Sequence, residues 1–235
     1  MISIHRLQDF GHIDHGWLNA YHHFSFGDYH DLNRMGFSAL RVVNDDTIQA
    51  HEGFPLHSHH DMEIITYVRK GAISHKDSLG NKGKTIAGDV QVMSAGTGIE
   101  HAEYNHEDEV TQLFQIWILP NQKSVQPRWE TRQFPQQYAQ DQLNLLVSGR
   151  DQDQAEKPLF IHQDAAIYAS KIRAGDTIEH SLKHPAYVIL ATGRAHLNGE
   201  TLQARDAAEV RDESKLKIEA QEDTELLLIE LPDIS

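Results

Sequence analysis

The apolar positions of this chain fall in short runs with the two-residue rhythm of strands. Glu63-Ile64-Ile65-Thr66-Tyr67-Val68 and Thr111-Gln112-Leu113-Phe114-Gln115-Ile116-Trp117-Ile118 are rich in β-branched and aromatic residues. Ala186-Tyr187-Val188-Ile189-Leu190 and Glu225-Leu226-Leu227-Leu228-Ile229 repeat the pattern. Glycine-bearing turns separate the runs, at Gly71, Gly80, Gly88-Asp89, Gly96, Gly98, Gly175-Asp176, Gly193 and Asn198-Gly199. The last is a two-residue hairpin signal. No stretch carries convincing helical spacing. Many short strands at close spacing predict an all-β sandwich or barrel.

The rhythm breaks after Ile118-Leu119-Pro120. Residues 121–142 are glutamine-rich and carry Pro127 and Pro135, and read as a connector with little to bury. Beyond it the strands resume and weakly echo the first half: Ala204-Arg205-Asp206-Ala207 resembles Ala87-Gly88-Asp89-Val90. Two β-barrels of similar plan are expected, one over 1–132 and one over 133–235.

Composition narrows the chemistry. The 235 residues include 17 histidines and no cysteine, and the net charge is −14. The negative charge is shared evenly between the halves, so direct nucleic-acid binding is disfavoured. Apolar runs are far too short to span a membrane, and the first residues lack a secretory pattern. A cytoplasmic location is expected. Without cysteine, any metal must be held by His, Asp or Glu. Only His162, His180, His184 and His196 follow His106, so the chemistry is expected in the first barrel. His180 and His184 read as surface residues.

Two segments concentrate the donors: Gly53-Phe54-Pro55-Leu56-His57-Ser58-His59-His60-Asp61-Met62-Glu63, and Gly88 to Glu103. Side chains alternate faces along a strand, so His57 and His59 project together, as do His101 and Glu103. If the segments meet, three imidazoles and one carboxylate converge. Glu63 shares the parity of His57 and His59. It would lie about 13 Å further along an extended strand, so it could ligate only if the chain bends. Glu103 is therefore the preferred ligand, and Glu63 a nearby catalytic candidate. Three nitrogens and one hard oxygen suit iron, manganese, nickel, cobalt, copper or zinc.

Gly53…His57-x-His59…Glu63…Gly71 and Gly88-Asp89…Gly96…His101…Asn105 resemble the two motifs of the cupin superfamily. More narrowly, the chain resembles bacterial pirins. Gly16-Trp17-Leu18, His23-Phe24-Ser25-Phe26, Leu40-Arg41-Val42-Val43-Asn44-Asp45-Asp46 and Met93-Ser94-Ala95-Gly96-Thr97-Gly98-Ile99 carry the likeness. It is dense over residues 9–120. Pirins usually have Pro between the two motif histidines and Arg after them; here Ser58 and His60 stand there. The resemblance implies a bicupin of two jelly-roll barrels (a double-stranded β-helix repeated). It puts the metal quartet on His57, His59, His101 and Glu103, with iron favoured, and implies no metal motif in the second barrel. It also implies quercetin 2,3-dioxygenase activity on a flavonol and O2, with release of carbon monoxide. Glu103 or Glu63 would be the base. The alternative it implies is a redox-sensing regulator acting through a protein partner.

Overall fold

The computed structural model describes residues 1–134 and 136–233, so Pro135 of the expected connector lies outside the described residues. Nearly all its regular structure is strand. Helical turns among the described residues are limited to the 3-10 segments Leu7–Asp9 and Asp151–Glu156. No helix there is long and apolar enough to cross a membrane.

Contacts divide the chain into two units. One holds residues 11–134 and 159–163; the other holds 1–10, 136–158 and 164–233. A single cut near residue 132 does not describe this division. Strand Ile2–His5 pairs with Ala207–Val210, so the first residues belong with the second unit. That exchange leaves no local signature, because Ile2 and Ile4 are ordinary strand residues wherever they dock.

The 11–134 unit is two antiparallel sheets. The larger runs Arg128–Arg132, Val90–Ser94, Glu63–Lys70, Thr111–Ile118, Leu40–Ile48, Leu18–His22, Gly11–Asp14; the smaller runs Gly53–His59, Ile99–Tyr104, Ala72–Asp77, Lys82–Ile86. Ile73 of the smaller sheet packs with Leu18, Val68 and Leu113 of the larger to close one end of the interior. Arg128–Arg132 lies inside the expected connector and corrects that reading. Its Trp129 faces inward between charged neighbours, which hid the alternation.

The second unit repeats the plan. One sheet orders Ile2–His5, Ala207–Val210, Ala186–Thr192, Thr224–Glu230, Ala166–Ile172, Asn144–Ser148; the other orders Thr177–Ser181, Lys215–Ala220, Arg194–Leu197, Glu200–Gln203. Its interior is apolar, with Val188, Leu190, Leu202, Leu226 and Leu228 all buried. Asn198 and Gly199 have φ of 46° and 90° and make the expected two-residue turn. The echoed motifs are the same turn. Gly88 and Arg205 take φ of 88° and 70°, and their N–H groups donate to Val68 O at 2.7 Å and Leu190 O at 2.5 Å.

Candidate metal centre and its cavity

The two donor-bearing strands are neighbours in the small sheet. His101 pairs with His57, Ile99 with His59 and Glu103 with Phe54. Between the His57 and Phe54 pairs, two residues of Gly53–His59, Pro55 and Leu56, thus oppose one of its partner, Ala102. The resulting bulge falls at Pro55-Leu56, where a residue without an N–H costs the ladder nothing. It turns Phe54 to the same side as His57 and His59. Pro55 also fixes the first imidazole, since the His57 Nδ1–H donates to Pro55 O at 2.7 Å and leaves Nε2 facing inward.

His57, His59 and His101 converge. One ring nitrogen from each lies within 4.8 Å of the others, and His57 Nε2 stands 3.1 Å from His101 Nε2. Two nitrogens bound at about 2.1 Å to one ion lie about 3.0 Å apart when their bonds meet at a right angle. The donors fit a metal on that spacing and on their chemistry. Burial first, and then repulsion from His57, His59 and His75, drives His101 down to about 2; burial and then His57 take His59 to about 4. Both rings are neutral at physiological pH, with lone pairs available to a cation.

Glu103 is 2% exposed. Gln115 Nε2 donates to its Oε2 at 3.0 Å and Gln91 Nε2 to its Oε1. The Gln91 amide has one orientation open to it, because its Oε1 accepts from Thr85 Oγ1 at 3.1 Å and Trp129 Nε1 at 3.3 Å. Burial raises Glu103 to about 7 against the opposing effect of Gln115, Gln91 and Thr66. Its carboxylate groups with His101 and His75 rather than with all three imidazoles at once: His75, His101 and Glu103 form a second set within 4.8 Å.

His75 is the residue that sequence reasoning missed. Its Nδ1 is 3.4 Å from His101 Nδ1, and its Nε2–H donates to Asp77 Oδ2 at 2.9 Å. Asp77 also accepts Leu79 N–H and Asn81 N–H at 3.0 Å each, and Asn81 Nδ2 at 2.9 Å. His75 stacks on Trp129 with ring centroids 4.8 Å apart at 7°. Burial lowers the His75 pKa although Asp77 opposes it, so the ring is neutral. With Asp77 accepting at Nε2, the His75 Nδ1 lone pair faces His101. His101 then carries its proton on Nδ1 and offers Nε2 to the cavity. The alternation His75-x-Asp77 was the available signal.

Glu63 is not brought to this cluster. Asp61, at φ 45°, turns the chain after His59, and Glu63 begins a strand of the other sheet. Its carboxylate accepts the Ser94 hydroxyl at 2.7 Å and is 1% exposed. Ile64, of opposite parity, faces the cavity instead. Burial raises Glu63 to about 7 despite Ser94, His162 and Arg128. In the other unit His180 is likewise misread as a surface residue. It follows the buried face of Ile178 and meets Glu230 Oε1 at 3.2 Å, while His184 is part-exposed. Among the described residues, both clusters of three or more potential metal donors lie in the 11–134 unit.

The imidazoles open into a cavity of about 410 Å³. Trp117 stands edge-on to His59 at 4.9 Å and to Phe26 at 5.4 Å. At another part of the wall Trp17 meets Phe54 edge-on at 5.3 Å. Phe24 and Met93 are core residues outside this lining.

The family model described as Pirin matches residues 4–118, and that of the quercetinase C-terminal cupin domain matches residues 145–231. The chain belongs to the pirin family. A pirin-like protein of Caulobacter vibrioides is 48% identical over 98% of this chain and 99% of its own. The quercetin 2,3-dioxygenase of Escherichia coli K12 is 41% identical over all of both chains. The crystal structure of the bacterial pirin YhhW from Escherichia coli, in complex with nickel(II), superposes with a TM-score of 0.92 at 40% identity, covering all of both chains. An oxalate decarboxylase shares the two-barrel cupin fold alone, at 12% identity and a TM-score of 0.67 over 98% of this chain and 77% of its own.

Proposed function

We propose that this family member is a metal-dependent dioxygenase that opens the heterocyclic ring of quercetin-like flavonols with O2 and releases carbon monoxide. The observation that carries the reading is the continuity of three converging imidazoles and a buried carboxyl with one aromatic-walled cavity. The name of the Escherichia coli relative supports it. His57, His59, His101 and Glu103 would hold one divalent transition ion, iron in the first instance, in the 11–134 unit. The other barrel would hold none. When bound, the ion supplies Lewis-acid stabilisation of an ionised flavonol hydroxyl and redox access to O2.

The remaining work falls to the chain. Glu103, the buried carboxyl at the cluster, is placed to take the proton released by the flavonol hydroxyl. Gln91 and Gln115 hold its two oxygens, so its orientation does not depend on protonation. Trp117 and Phe26 give a flat ligand apolar surface beside the imidazoles and keep water from that side. Glu63, away from the cavity, takes no part.

Protein purified without chelator, its metal determined, is tested aerobically with quercetin. Oxygen uptake, loss of flavonol absorbance and carbon monoxide release, all lost in His57→Ala together with the metal, are expected. A metal-replete protein that leaves quercetin intact overturns the enzymatic reading and favours the regulatory one.

A further inference from the structure

The inner face of the large sheet is a sequence of rows. Trp117 and Ile64 form the row against His59. Gln115, Asn44, Thr66 and Gln91 form the next, which holds Glu103. Asp46, Ala20 and Leu113 form the one after. Four residues of strand separate the first row from the third, about 13 Å. The third row is otherwise apolar, since Ala20 and Leu113 cluster with Leu18, Ile13, Trp17 and Phe54.

Asp46 stands in that apolar end. It is 2% exposed, it lines the same cavity as the imidazoles, and its Oδ1 has no hydrogen-bond partner. Its sequence neighbour Asp45 faces the other way and pairs with Arg69. On Asp46's own face Asn44 is engaged, its Oδ1 accepting from His22 Nδ1 at 2.7 Å. Burial first, then the charges of Asp45 and Glu103, raise the Asp46 pKa well above the carboxylate range. A carboxyl on that wall, with an oxygen no protein group engages, can meet a ligand hydroxyl. An unsatisfied buried oxygen that neither folding nor ion pairing uses is a feature a ligand can complete.

We propose that Asp46 is a specificity residue that binds a hydroxyl of the substrate remote from the metal-binding one. The cavity thus selects planar phenols with polar groups at both ends. The inference rests on the aromatic-substrate reading above and names what part of that substrate the far wall recognises. Trp17, Phe54 and Leu18 flank the remote ring, and the acid supplies the one directional contact there.

The test compares quercetin with 3-hydroxyflavone, which keeps the 3-hydroxyl and lacks the other ring hydroxyls. Binding is read anaerobically by quenching of tryptophan fluorescence in metal-replete wild type, Asp46→Leu and Asp46→Asn, with metal content measured for each. Asp46→Leu is expected to keep its metal, bind 3-hydroxyflavone as wild type does, and bind quercetin about tenfold more weakly. Asp46→Asn, which keeps a polar group of the same size on that wall, restores quercetin affinity to within about threefold. Equal weakening toward both flavonols, no weakening toward either, or a wild type that binds the two equally or binds neither overturns the proposal. Turnover is scored separately. Catalysis without Asp46-dependent selectivity sinks this inference alone, and selective binding without catalysis sinks the enzymatic reading alone.

Discussion

Asp77→Asn reverses the hydrogen-bond chain behind His101 with almost no change in volume. Asp77 Oδ1 accepts two backbone N–H groups, and an asparagine oxygen can keep both. The amide nitrogen then falls where Oδ2 accepted from His75 Nε2 at 2.9 Å. An N–H now faces Nε2, so His75 moves its proton to Nδ1 and donates to His101 Nδ1. His101 is left protonated on Nε2, the nitrogen that faces His57 at 3.1 Å. That tautomer cannot ligate. Loss of a carboxylate behind a ligating imidazole typically costs 10–100-fold in metal affinity, about 1.4–2.7 kcal/mol. The metal-free fold loses the Asn81 Nδ2 bond to Oδ2 and the charge assistance of the His75 bond, about 1.5–3 kcal/mol each. His75→Phe keeps the ring on Trp129 and removes both nitrogens, freeing His101 to choose its tautomer. It should weaken metal binding less than Asp77→Asn does. Competition titration of nickel(II) against a chelator measures both, and urea denaturation of the metal-free proteins reports stability. A wild-type affinity in Asp77→Asn, or the opposite order of the two variants, refutes the tautomer argument.

Glu63, with its folded pKa near 7 against 4.5 unfolded, holds an extra proton in the folded state between those values. Its contribution is therefore lost as pH rises from 4.5 through 7 and is constant above. Glu63→Gln should gain about 3 kcal/mol on wild type between pH 4.5 and 8 in denaturant titrations of the metal-free proteins, and parallel curves would contradict this. At Gly96, φ is 46° and an added Cβ would sit 2.0 Å from Val125 O, so Gly96→Ala should cost about 2–4 kcal/mol. Gly80→Ala, at φ 90° with open space around it, meets only backbone strain of about 1–2 kcal/mol; thermal melts that rank the two equally would count against the packing argument. Nickel(II) at a hundred times its Kd should stabilise wild type by about 2.7 kcal/mol and His57→Ala not at all, as read by thermal shift.

The strand runs, the glycine turns and the parity of His57, His59, His101 and Glu103 were legible because each is local. A turn needs a residue at positive φ, and alternation fixes which side chains share a face. Gly71 and Gly193 occupy matching turns for the same reason. Both take positive φ, 73° and 80°, and an added Cβ at either would meet the hydroxyl of the residue across the ladder, Thr111 Oγ1 at 2.7 Å or Thr224 Oγ1 at 2.6 Å. What failed was non-local. The Glu63 reading allowed for a bend but not for where it leads: the turn at Asp61 sends the chain to the other sheet. The His180 reading placed a part-buried imidazole at the surface because its partner, Glu230, lies fifty residues away. Trp129 and Ile2–His5 gave no warning of their docking sites. The His75–Asp77 pair was written in the sequence, but its meaning depends on which ring nitrogen faces His101. The same limit applies inside the cavity. Asn44, Asp45 and Asp46 are three polar residues in a row on a central strand, indistinguishable by type. The register gives Asp45 a guanidinium and Asn44 an imidazole, and leaves Asp46, on the cavity wall, with an unpartnered oxygen. Pattern locates the strand; only the pairing of strands separates a structural carboxylate from one left free to meet a ligand.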